Sequence, residues 1–140
     1  AILPFHEAGH LVLMPFAPRF LVAAGGTLAQ LGLPLGFAVY FFWKRREPFS
    51  ACVALLWLFA SMQNMGIYMK DARFLLLPLF GADPLEGHDW NYLFGQMRLL
   101  HRSVEIGGFF QGLGRLGMAG VLAGMLGLVV RGRPQPPPGA

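Results

Sequence analysis

The sequence predicts an all-α integral membrane helical bundle with about three full spans, a short helix carrying His-Glu-x-x-His, and an interfacial helix. Three observations carry that expectation. Of the 140 residues, 55% are hydrophobic and only 13% are charged, where a soluble domain carries about a quarter of charged residues. Apolar stretches of roughly 20 residues, the length needed to cross a bilayer, recur along the chain. Aromatic and basic residues mark their ends, as at Tyr40-Phe41-Phe42-Trp43 followed by Lys44-Arg45-Arg46, where amphipathic rings and cations meet lipid headgroups.

The first apolar segment, about Ile2 to Met14, is too short to span alone and reads as a half-membrane helix or the end of a longer one. Its His-Glu-x-x-His core excludes a signal peptide, and a start upstream of Ala1 is expected. Pro15 and Pro18 then force a turn. The second segment, about Arg19 to Trp43, spans with some tilt. Gly25-Gly26-Thr27 and Gln30 place small and polar groups early in it, and Pro34 and Gly36 predict a kink. The third, about Pro48 to Met69, ends in polar residues: Gln63, Asn64, Tyr68, Lys70, Asp71. A loop from Asp71 to Gly87 follows, with a patch, Phe74 to Phe80, too short to span. Asp89 is expected to cap an amphipathic helix through Leu100, with Leu93, Phe94, Met97, Leu100 and His101 inward and Gln96 and Arg98 outward. The last segment, about Glu105 to Val130, carries Gly117, Gly120, Gly124 and Gly127 on one face, a pattern for close helix packing, and Arg115, expected to snorkel. Residues 1–130 read as one transmembrane domain and 131–140, with Pro134 and Pro136-Pro137-Pro138, as a disordered tail. The short, purely basic flanks place the Lys44 side in the cytoplasm and the Asp71–His88 loop on the outer side.

Within this frame the informative motif is Phe5-His6-Glu7-Ala8-Gly9-His10. Residues four apart share a helix face, so His6 and His10 are positioned to hold one metal ion through their imidazoles. Glu7, one step round the helix, is placed to take a proton from an activated water. The competing reading is two histidines packed in a helix interface. Ionisable residues inside an apolar segment are costly, which favours a function. A catalytic zinc usually has three protein ligands and an open position. Asp71 and His88 rank equally as the third, Asp89 somewhat below them and Glu86 last; the competing roles are a salt bridge with Lys70 or Arg73 for Asp71, an interfacial loop histidine for His88, and for Asp89 a group orienting a histidine ring or a helix cap. Gln63 and Asn64 read either as helix cross-links or as groups holding a substrate backbone. Cys52, the single cysteine, reads as packing. The net charge of +4 is scattered at segment ends, which excludes a nucleic-acid-binding face.

The chain resembles the membrane-embedded zinc metalloproteases of the site-2 protease type, through Phe5-His6-Glu7-Ala8-Gly9-His10 and, in the next span, Gly25-Gly26-Thr27-Leu28-Ala29-Gln30. It also resembles small bacterial membrane proteins that pair such a motif with a downstream His-Asp-Trp-Asn, here His88-Asp89-Trp90-Asn91. The resemblance implies one Zn²⁺ per chain, Glu7 as general base, membrane-associated peptide substrates and residence in a bacterial cytoplasmic membrane. In that family an Asp in an Asn…Pro…Leu-Asp-Gly stretch supplies the third ligand; here Asn64 and Asp71 occur without a Leu-Asp-Gly. The alternative is a non-catalytic accessory subunit of a larger membrane complex, packing on partner helices through Gly117, Gly120, Gly124 and Gly127. A haem or pigment site is disfavoured, because His6 and His10 share one helix face.

Overall fold

The computed structural model describes residues 3–77 and 87–131. Helix α1 is Leu3–Leu13. Helix α2, Arg19–Val39, starts after extended Pro18 and continues as a π-helical turn, Tyr40–Arg45, closed by Arg46 in the left-handed conformation. Helix α3, Pro48–Asp71, has proline at its start, where the missing N–H costs nothing. Helix α4 is Asp89–Gln96, and a single 3-10 turn, Leu100–Arg102, leads into α5, Ser103–Arg131. Three stretches, Arg19–Arg45, Pro48–Asp71 and Leu100–Val130, are long and apolar enough to cross a membrane. The chain is an all-α integral membrane protein, with lipid as the environment of its exposed apolar side chains.

Backbone close approach holds the helices together at two places. Where α1 crosses α2, a Cβ on Gly25 would lie 2.8 Å from the Gly9 carbonyl. Where α3 packs along α5, a Cβ on Gly66 would lie 2.5 Å from the Gly107 carbonyl, and one on Gly114 would lie 2.8 Å from the Gln63 nitrogen. Only glycine allows either contact. The buried face of α2 is a strip of small and polar residues, Ala23, Gly26, Thr27, Gln30, Pro34 and Ala38, at the three-to-four spacing of one helix face. Pro34 lies buried within it, and the helix runs on past it. Met65 and Met69 of α3, with Ala72 just after it, pack with Phe94 of α4 in a small core.

Several local expectations change. The N-cap of α4 is His88, whose Nδ1 accepts from the Asn91 amide; Asp89 is the first helical residue and its carboxylate is free for other partners. Leu93 and Phe94 are buried, but α4 ends at Gln96, so Met97 and His101 are exposed. In the glycine stripe, Gly117 abuts the Phe59 ring, whereas Gly120, Gly124 and Gly127 have nothing within 4 Å. The contact face of α5 is instead Gly107, Gln111, Gly114 and Gly117. Arg115 is exposed, as snorkelling requires. Residues 78–80 of the apolar patch and 132–140 of the tail lie outside the described residues.

Candidate metal centre

Two histidines one turn apart on α1 meet a carboxylate from α4. His6 Nε2 lies 3.0 Å and His10 Nε2 3.2 Å from the same Asp89 oxygen, Oδ2. Among the described residues these three form the group with metal-ligand convergence, their ligand atoms all within 4.8 Å of one another. At ordinary Zn–N and Zn–O lengths, adjacent ligand atoms on a tetrahedral ion stand about 3.3 Å apart, close to the separations here.

The room for this cluster is made by α2. A Cβ on Gly26 would sit 2.5 Å from His10 Nε2 and 2.6 Å from His6 Nε2, so the rings occupy space that only glycine leaves. One turn on, Gln30 takes His6 Nδ1 on its Oε1 at 3.2 Å and donates its Nε2 to the Ser61 carbonyl of α3. His10 Nδ1 lies 2.7 Å from the Val22 carbonyl. A carbonyl only accepts, so Nδ1 of His10 carries hydrogen; the Gln30 amide, oriented by its bond to Ser61, imposes the same tautomer on His6. In the neutral rings both Nε2 lone pairs therefore point at a carboxylate oxygen. Three electron-rich atoms in contact need positive charge between them: protons on the rings, or one cation. Burial works against the Asp89 carboxylate, but hydrogen bonds from His10 and His6 outweigh it and hold its pKa below the ordinary value of 3.8.

Of the third-ligand candidates, the geometry brings in Asp89 and leaves Asp71 and His88 one layer behind. Asp71 accepts the backbone amides of Leu76 and Leu77 on its two oxygens, at 2.9 and 3.0 Å. His88, 1% exposed, stacks on Tyr68 with ring centroids 4.2 Å apart, and its Nε2 lies 3.4 Å from Asp71 Oδ2. Burial pushes the His88 pKa down, against the pull of Asp71.

A cavity of about 720 Å³ opens onto the cluster, lined by Glu7, Asn64, Tyr68 and Arg19 among others. Glu7 is exposed to it. Asn64 also faces it, with its Nδ2 bonded to the Ala60 carbonyl of its own helix. Gln63 does not line the cavity; its backbone packs against Gly114 of α5. Gln30 and Tyr68 are site residues that the sequence marks only as polar positions within their spans, without assigning them to the metal centre. The signal for Gln30 was its spacing of four from Gly26; Tyr68 had none, because its role depends on a contact across the 72–87 connection. Comparison with protein-family models, curated proteins and solved structures finds no match to this chain, and the chemistry of the centre rests on its own geometry.

Proposed function

We propose that this chain is an intramembrane zinc metallopeptidase of a bacterial cytoplasmic membrane, with His6, His10 and Asp89 as metal ligands and Glu7 as general base. The observation that carries the proposal is the tautomer lock: Val22 and Gln30 turn two imidazole lone pairs onto one carboxylate oxygen. Two imidazoles and one carboxylate are a donor set suited to zinc, leaving one position open. Zinc held there would supply Lewis acidity, which lowers the pKa of a bound water to about 7 in sites of this type.

The protein's own residues supply the rest. Glu7 faces the cavity, where it accepts the proton of the attacking water and returns it to the departing amine as the peptide C–N bond breaks. Asn64 offers an amide at the wall to align a substrate backbone. At about 1.5 Å per residue, Gly26, against which both rings lie, stands roughly 10 Å along α2 from Arg19, so the centre falls within one half of a hydrocarbon core about 30 Å thick. Its substrates are membrane-embedded or membrane-adjacent peptide segments that enter the cavity from the lipid or from the Arg19 side.

The test is cleavage of membrane peptides in vesicles by purified protein, wild type beside Glu7→Gln. Loss of cleavage with zinc retained supports the assignment; equal cleavage by both removes Glu7 from the chemistry. The accessory-subunit reading draws on one observation, the open glycines Gly120, Gly124 and Gly127, which suit a partner helix. It is favoured if the wild type holds zinc yet cleaves nothing.

A further inference from the structure

Asp89 is the one member of the cluster that lies outside the α1–α2 hairpin, and its approach is fixed by residues that touch neither His6 nor His10 through a hydrogen bond. The Tyr68 hydroxyl donates to the Gly87 carbonyl at 3.3 Å and accepts from the Asp89 amide at 3.2 Å. It therefore grips the backbone on both sides of His88. The His88 ring lies on the Tyr68 ring and caps the helix that Asp89 begins. Because Nδ1 of His88 accepts from Asn91, its Nε2 bears the hydrogen and faces Asp71. Asn91 closes the arrangement by donating to the Ala72 carbonyl at 2.8 Å. All of these anchors sit in the last turn of α3 or just after it.

We propose that Tyr68 and His88 are positioning residues for the third ligand: together with Asp71 and Asn91 they latch residues 87–91 to the end of α3 and aim the Asp89 carboxylate at the two histidines. The latch rests on the metal reading only where affinity is measured. Without it, α4 remains attached through Leu93 and Phe94, but the carboxylate loses its fixed direction. Orienting partners of metal ligands typically change affinity by about 10–100-fold.

Two variants separate the contributions. Tyr68→Phe keeps the ring beneath His88 and removes the hydroxyl. His88→Asn keeps a side-chain N-cap acceptor and removes the stack and the contact with Asp71. Two readouts are taken on the full-length protein in detergent: zinc affinity by competition with a chromophoric chelator, and backbone hydrogen exchange of residues 87–91 with and without zinc. Tyr68→Phe is expected to weaken zinc by about 10-fold or more and to speed exchange at 87–91 in both forms, while exchange in α1 and α2 stays as in wild type. His88→Asn is expected to do the same. Unchanged exchange at 87–91 in both variants overturns the latch, as does a loss of protection spread evenly over the whole protein. A wild type that binds no zinc overturns the metal reading instead, and the exchange of the metal-free variants still decides the latch.

Discussion

Two glycine contacts build this molecule, and they do different work. At the α3–α5 crossing, Gly66 and Gly107 bring backbones together, and the polar group one turn beyond Gly107, Gln111, accepts from Lys70 across the two helices. At the α1–α2 crossing, Gly9 and Gly25 do the same, but the next glycine, Gly26, gives its space to two imidazole rings and Gln30 turns one of them. Small residues alone thus mark close packing. What distinguishes the chemical site is that the space beside Gly26 holds two imidazole nitrogens converging with a carboxylate, whereas the Gln111 amide oxygen is spent on Lys70.

The contrast is breakable from either side. Gly26→Val is expected to have the largest effect on the metal: its side chain must displace both rings, so zinc affinity should fall by at least about 100-fold while circular dichroism retains its helical signal. Retained affinity would show that the rings do not need that space. Gly107→Ala should act in the opposite way. The added Cβ meets the Gly66 carbonyl at 2.5 Å, backbone that cannot move aside cheaply, and the expected cost is about 1–3 kcal/mol of stability, read as a lower thermal midpoint of the metal-free protein. Gln30→Leu should be intermediate, weakening zinc by about 10-fold through loss of the His6 orientation. Gly124→Ala, with nothing within 4 Å, should change stability by no more than about 0.5 kcal/mol; a large loss of an oligomer or complex in that variant would point to the partner-helix reading.

A pH experiment sharpens the electrostatic side. The Asp89 pKa in the folded metal-free protein lies below its ordinary 3.8, so the folded state binds fewer protons than the unfolded state around that pH. The stabilisation is present above pH 3.8 and is lost as pH falls through the depressed value. Asp89→Asn should flatten this acid limb of a pH–stability curve; a curve identical to wild type would mean that the carboxylate is not coupled to the histidines.

The spans were legible in the sequence because apolar length and aromatic-basic flanks follow from the membrane itself. His6, Glu7 and His10 were legible because spacing on one helix fixes which side chains meet. The third member was not, because Asp89 reaches the histidines from 79 residues beyond His10 along the chain, and its direction depends on Tyr68, 21 residues before it. Ranking Asp71 and His88 ahead of it followed ligand type for His88 and, for Asp71, its place at the end of a span near Asn64; Asp71 is instead occupied by the Leu76 and Leu77 amides. The glycine stripe of α5 shows the same limit. Periodicity identified a face of small residues, but only packing against α3 decides that Gly117 is covered and Gly124 is not.

The most direct test of the central claim is the metal content of the purified protein by mass spectrometry, wild type beside Asp89→Asn and His10→Ala. The account predicts about one zinc per wild-type chain, and loss of that zinc in both variants with the fold retained. A well-folded wild type without metal, or an Asp89→Asn variant that holds zinc as tightly as wild type, would contradict it.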